Sequence, residues 1–93
     1  MLESTSLPDH VAHVRTTPVF TAVSVPAGLR RAHRIAPGVW GRLRVIGGSV
    51  TFVLEDAGES RDLHEGDTQV IEPDVAHHVE PGANAEFVVE FYR

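Results

Sequence analysis

Hydrophobic and polar residues alternate along much of the chain, in short runs that glycine and proline separate. The aliphatic residues are mostly β-branched, with 14 valines against 6 leucines, and such residues suit a pleated strand better than a helix. No window of about a dozen residues carries the apolar period of a helix, and turn signals recur about every 8–12 residues. The pattern therefore predicts an all-β domain of sandwich or small-barrel type. The predicted strands are Val19–Val25, Arg31–Ile35, Val39–Ile46, Ser49–Asp56, Arg61–Leu63, Thr68–Ile71, His77–Glu80 and Glu86–Tyr92.

The alternation also predicts which side chains face the core. In Trp40–Ile46 the odd positions are apolar or glycine, whereas the even ones include Arg42 and Arg44. Burying the apolar set costs less free energy than burying arginine, so both arginines are expected to face outward. By the same argument the last strand turns Glu90 outward, where it can pair with either arginine. The predicted inward side chains are Gly41, Leu43 and Val45 in the first of these strands and Phe87, Val89 and Phe91 in the last.

The length of 93 residues fits one domain. A domain of this size hides only roughly 60–65% of its unfolded surface, so association with a second copy would stabilise it, and we predict a homodimer. The first residues are polar, which predicts an N-terminal arm at 1–15, disordered or paired with a neighbour, followed by the domain at 16–93. The sequence has no cysteine, which excludes disulfides and thiolate metal sites.

The charge balance narrows the range of partners. Asp and Glu number 13 against 8 arginines and no lysine, for a formal net charge of −5. A negative field repels nucleic acid and anionic membranes, so neither is an expected partner. No apolar run approaches the roughly 20 residues of a membrane helix, and the N-terminal residues lack the basic and apolar regions of a signal peptide. The expected protein is soluble and cytoplasmic, with a small molecule as its ligand.

Three of the six histidines, His33, His77 and His78, stand where one type of β-barrel protein places metal ligands. The segment from Gly66 to His77 resembles the second metal motif of the cupin superfamily, in which glycine is followed by five residues, proline, one residue, glycine, two residues and histidine. Counted from Gly66, this spacing ends on His77. The segment departs from the motif at two positions, because Glu72 replaces the proline and Asp74 replaces the second glycine.

The first cupin motif is His-x-His, three or four residues, Glu, six residues and Gly, and it is only partly present. The glutamate position falls on Trp40 if Gly47 closes the motif and on Gly41 if Gly48 closes it. The second choice agrees better with the alternation of the strand. In either frame the carboxylate is missing and His33 is the one histidine that remains.

From about Thr17 onward the chain is similar to the small cupin family represented by YeaR and by the N-terminal domain of the tellurite-resistance protein TehB. The resemblance implies a single-domain cupin, a double-stranded β-helix or jelly-roll barrel, that binds a divalent metal. It also implies an association with tellurite resistance and with the response to nitrosative stress. The resemblance rests on Thr17–Thr21, on His33 with Gly38–Gly41, on Val70–Pro73 with His77–Pro81, and on Val89–Arg93.

The predicted cofactor is a divalent metal ion, with zinc or iron as the first choice and nickel, copper or manganese as alternatives. His33 and His77 lie far apart in sequence and can share an ion only if separate strands bring them together. The third ligand is left open among His78, Glu80 and Glu90. Two or three protein ligands leave positions for water or substrate, so a metal-bound water of lowered pKa, or ligand exchange, is the chemistry expected.

Two functions from different classes follow. The leading hypothesis is a small metal-binding monocupin whose expected role is metal-dependent redox or small-molecule chemistry in the stress response. The rival is a non-catalytic module that binds a small ligand or a partner protein, and the missing motif glutamate and second histidine favour it. No triad context, phosphate-binding loop or nucleophile elbow is present, so the sequence alone does not assign an enzyme activity.

Overall fold

The alternating segments of the sequence form two antiparallel sheets in the computed structural model, which describes residues 2–93. One sheet has the strand order β1-β8-β3-β6, with β2 also paired to β8, and the other has the order β5-β4-β7. Two short 3-10 helices, Leu2–Ser4 and Ala27–Arg30, complete the regular structure. The strands are β1 (His13–Thr16), β2 (Phe20–Thr21), β3 (Trp40–Gly47), β4 (Ser49–Leu54), β5 (Glu59–His64), β6 (Thr68–Ile71), β7 (His77–Pro81) and β8 (Glu86–Tyr92).

The two sheets share one hydrophobic core. Phe52 of the small sheet and Phe87 and Leu43 of the large sheet are each fully buried within it. The large side chains come from alternate positions of their strands, because every second side chain of a strand faces the same side. The remaining fully or largely buried members are Leu2, Val25, Ile35, Val45, Val50, Leu63, Ile71, Val79, Ala85 and Val89.

The all-β prediction is confirmed. Within residues 2–93 the strands form two sheets and no closed barrel, so the cupin jelly-roll barrel stays a prediction. The two predicted strands that differ most from the structure are Val19–Val25 and Arg31–Ile35. The first is limited to Phe20–Thr21, because the Thr21 hydroxyl accepts hydrogen bonds from the Val23 and Ser24 amides, which turns the chain. The second makes only an isolated bridge, at His33.

The predicted orientation of β3 and β8 is confirmed on the outer face. Arg42 Nε donates to Glu90 Oε1 at 2.7 Å, and Arg44 Nε donates to Glu90 Oε2 at 3.2 Å. Burial would by itself raise the pKa of Glu90, but the hydrogen bonds and charges of the two arginines outweigh that effect and lower it. The inward set of β3 is buried as expected. In β8, Phe87 and Val89 are buried as expected, whereas Phe91 is only half-buried and Val88, on the opposite face, is buried as well.

The predicted arm, 1–15, begins at Met1, which lies outside the described residues. From Leu2 onward the segment returns to the domain at two places. Leu2 is buried, and Gln69 Nε2 donates to its carbonyl at 2.9 Å. Strand β1 begins at His13 and pairs with β8. The division of the chain at residues 15 and 16 stays a prediction. In the part of the chain from residue 2 onward, no helix has the length and apolar character needed to cross a membrane.

Candidate functional site

His33 and His77 are brought together by a short backbone pairing. The His33 amide donates to the His77 carbonyl at 2.7 Å, and the His77 amide donates to the His33 carbonyl at 2.9 Å. Their rings meet edge to face, with centroids 5.4 Å apart and an interplanar angle of 88°. The expectation that these two remote histidines lie side by side is therefore met by the structure.

The turn before β7 places His77 opposite His33. Asp74 adopts a positive φ of 55°, a left-handed conformation that aspartate tolerates better than most residues. This is the position where the cupin motif has glycine, the residue that adopts such a φ most easily. The Asp74 amide donates to the Ile35 carbonyl at 2.9 Å, and Arg34 Nη1 donates to the Asp74 carbonyl at 2.8 Å. These bonds continue the contact between the His33 and His77 segments to the residues that follow His33.

His77 is buried and held in one orientation. Its side chain is among the least exposed polar groups, at 2%, and its ring stacks on Phe52 with centroids 5.4 Å apart. Nδ1 lies 3.0 Å from the Val75 carbonyl, and since a carbonyl only accepts, Nδ1 carries the proton and donates. Burial, helped by the nearby charges of His33 and His78, lowers the pKa of His77 against the opposing effect of the Val75 hydrogen bond. The neutral ring leaves Nε2 as a hydrogen-bond acceptor.

His78 points to a different place. Its Nδ1 lies 3.0 Å from Glu55 Oε1, and its Nε2 lies 2.7 Å from Glu80 Oε2. The hydrogen bond with Glu80, together with Glu55 and both carboxylate charges, raises the pKa of His78 despite partial burial. Adjacent residues of a strand face opposite sides of the sheet, which explains why His77 and His78 differ. The structure therefore brings two of the three predicted histidines together and leaves His78 with two carboxylates.

A cavity of about 210 Å³ adjoins the histidine pair. His33 and His77 form part of its wall, and the other polar side chains that line it belong to Arg15 and Thr17. No aspartate or glutamate of the described residues lines it. The rest of the wall consists of Phe20, Pro26, Gly28, Leu29, Ile35, Leu43, Ile71, Val79, Phe87, Val89 and Phe91. The arrangement can hold a small, largely apolar molecule against two imidazoles.

The donor set fits a metal ion only in part. Across residues 2–93, no group of three or more histidine, aspartate or glutamate side chains is arranged to hold a metal ion. Of the other proposed ligands, Glu80 contacts His78, and Glu90 contacts Arg42 and Arg44. The chain thus offers two imidazoles. The Nδ1 hydrogen bond of His77 to a carbonyl is the contact that commonly orients a metal-binding histidine.

Several parts of the cavity were not predicted as site residues. Arg15 falls in the predicted arm, although β1 carries it to the cavity wall. Leu29 belongs to the 3-10 helix Ala27–Arg30, which has no apolar period in the sequence. Neither position carries a local signal, because each becomes part of the wall only through contacts with distant strands.

The fold and the cavity define a class of protein, namely a small all-β domain with a cavity that has a histidine pair in its wall. Sequence comparison identifies the family within that class. The model of the TehB-like domain matches residues 15–89, and the chain belongs to this family. The cupin and YeaR assignments are finer than this match and stay predictions. A comparison with curated proteins found no match.

Solved structures agree with the family. A protein from E. coli strain K12 is similar with a TM-score of 0.88 and 25% identity, over 96% of this chain and 96% of that one. TehB from Haemophilus influenzae is similar with a TM-score of 0.79 and 26% identity, over 90% of this chain. The matched region is 32% of that TehB chain, so the present chain corresponds to about one third of its length.

Proposed function

We propose that this TehB-like domain binds a small, largely apolar molecule in the cavity beside His33 and His77. The observation that carries the proposal is the composition of the wall, which is apolar except for four side chains. Ligand sites in proteins commonly combine an apolar lining with a few placed polar groups that fix orientation. The Nε2 atom of His77 supplies one such group, because its ring is neutral and fixed by the Val75 carbonyl.

The cavity volume limits the size of the ligand. An apolar cavity of about 150 Å³ accommodates benzene, so the 210 Å³ here suits a molecule with one ring and a small substituent. A hydroxyl on that ring can donate to His77 Nε2. Phenol is therefore a suitable first probe, because it is neutral, largely apolar and a hydrogen-bond donor.

The test is a titration of the isotope-labelled protein with phenol, followed by amide and methyl chemical shifts. We expect saturable shifts at the cavity-lining residues. His77→Phe keeps an aromatic ring on Phe52 but removes Nε2, and His77→Asn keeps a donor for the Val75 carbonyl but removes the ring. Both variants should weaken phenol binding by about three- to tenfold, the loss of one neutral hydrogen bond, whereas His64→Asn on the exposed surface should not. Shifts confined to residues outside the cavity would contradict the proposal.

A second candidate function is binding of a divalent metal ion, and the close approach of two imidazoles supports it. His33 and His77 would hold the ion, with zinc or iron as first choice and nickel, copper or manganese as alternatives. Water, the ligand or a third side chain would complete the coordination. A bound metal would supply Lewis-acid or redox chemistry. Such chemistry would account for the link to tellurite resistance and nitrosative stress that the family resemblance implies.

Elemental analysis of protein purified without a histidine tag tests this candidate. The expected result is about one metal ion per chain, lost in both His33→Ala and His77→Ala. His64→Ala, at an exposed position, is the matched control, and His78→Ala tests whether that residue is the third ligand. Stoichiometric metal that persists in both His33→Ala and His77→Ala would reject the assignment.

A further inference from the structure

Arg15 connects the cavity described above with a second one. The second cavity, of about 350 Å³, shares four lining residues with the first, namely Arg15, His33, Ile35 and Phe91. We call the first the inner cavity and the second the outer cavity. The inner cavity is mostly apolar, whereas the outer cavity carries several charged side chains. A molecule that occupies the inner cavity therefore has a charged vestibule beside it.

The vestibule is cationic in an acidic protein. The formal charge of the chain is −5, yet the outer cavity is lined by Arg15, Arg34 and Arg93 and by no aspartate or glutamate of the described residues. Arg34 is partly neutralised, since it lies 3.9 Å from Asp56 and 3.6 Å from Asp74. The remaining residues that line the outer cavity are Val14, Ala36 and Val39, together with the residues shared with the inner cavity.

Arg15 has no anionic partner within residues 2–93. Its guanidinium carbon lies over the ring of Phe91, 4.6 Å from the ring centroid. That cation–π contact holds the charge beside a ring that lines both cavities, and no acceptor within residues 2–93 is hydrogen-bonded to the Arg15 guanidinium. A guanidinium fork next to an apolar wall is complementary to a carboxylate on an apolar body.

We infer that the ligand of this site is a small organic anion, with its apolar body in the inner cavity and its anionic group at Arg15. The inference rests on the proposed function, and it names the chemical class of the ligand. The inner cavity selects a body of about one ring, and Arg15 selects a negative charge at the rim. Thr17 does not compete for that group, because its hydroxyl donates to the Pro18 carbonyl and accepts from the Val89 amide.

Benzoate and benzamide test the inference, because they match in shape and differ in charge. Binding of each is measured by calorimetry and by chemical shifts at two salt concentrations. Benzoate should bind about tenfold more tightly than benzamide, and added salt should weaken only benzoate. Arg15→Gln should remove the preference and leave benzamide within about twofold. Arg31→Gln is the matched control, because Arg31 is exposed, forms no ion pair within residues 2–93 and lines neither cavity.

The outcomes separate this inference from the proposed function. Equal binding of both probes in the cavity, or an equal loss of benzoate in Arg31→Gln and Arg15→Gln, would overturn the anion assignment and leave the cavity as a ligand site. Failure of phenol, benzoate and benzamide alike to shift any cavity residue would overturn the proposed function, and the anion assignment with it. Because Arg15 is exposed, Arg15→Gln is expected to fold, and its thermal midpoint verifies this.

Discussion

His77 and His78 are neighbours in sequence, but the sheet gives them opposite electrostatic environments. His77 faces the core, where burial disfavours the charged ring and lowers its pKa. His78 faces Glu55 and Glu80, whose carboxylates favour the charged ring and raise its pKa. One residue can therefore serve as a neutral acceptor at the cavity, while the next is more readily protonated because it lies between two carboxylates.

We expect the two rings to titrate on opposite sides of the ordinary histidine pKa of 6.5, His77 below it and His78 above it. The stability that depends on neutral His77 is complete above pH 6.5 and is lost as the pH falls through the lowered pKa. The stability that depends on charged His78 is present below pH 6.5 and is lost as the pH rises through the raised pKa. Imidazole chemical shifts against pH, assigned with His77→Phe and His78→Ala, measure both. Superimposable titration curves would refute the assignment of environments.

At the scale of elements, the turn between β3 and β4 determines how the two sheets are joined. Gly48 has a φ of +64°, and a Cβ built there would lie 2.5 Å from the backbone oxygen of Asn84. Gly58, in the turn between β4 and β5, has the same φ of +64° but open space around it. A comparison of the two glycines therefore separates the cost of the left-handed backbone conformation from the cost of the close contact with Asn84.

Gly58→Ala should destabilise the protein by about 1–2 kcal/mol, the cost of alanine in the left-handed region. Gly48→Ala should cost about 2–5 kcal/mol, because overpacking against the Asn84 backbone adds about 1–3 kcal/mol. Urea unfolding of both variants measures the difference. Equal losses of stability would mean that the backbone contact at Gly48 does not constrain the turn.

The whole molecule is organised around one core that also forms the inner cavity. Leu43, Phe87 and Val89 pack in that core and line the cavity, so the proposed ligand binding would be coupled to stability through the same side chains. The chain reaches the core from its N-terminal end as well, through Leu2. The homodimer stays a prediction, and sedimentation equilibrium measures it directly.

Leu2→Ala should lower the free energy of unfolding by about 2–5 kcal/mol, the range for truncation of a buried leucine. Glu3→Ala, at an exposed neighbouring position, is the control and should have little effect. Chemical unfolding of both variants is the measurement. An unchanged midpoint for Leu2→Ala would place that side chain outside the core.

Local pattern accounts for much of this structure, and contacts between distant segments account for the rest. The alternation of β3 and β8 predicts their inward faces and the pairing of Arg42 with Glu90. Motif spacing predicts that His33 and His77 meet. One partner of His78 is Glu55, which follows the end of β4, and one residue of the cavity wall is Arg15 from β1. Both contacts join distant segments, so neither is encoded in a local period.

The central claim is that the cavity beside His33 and His77 is the functional site and holds a small, largely apolar ligand. The most direct test is to record intermolecular nuclear Overhauser effects between phenol and the protein, with methyl groups labelled. The claim predicts contacts from the phenol ring to the methyl groups of Leu29, Leu43 and Val89, which line the cavity. Saturating phenol that gives no contact to these methyl groups would contradict it.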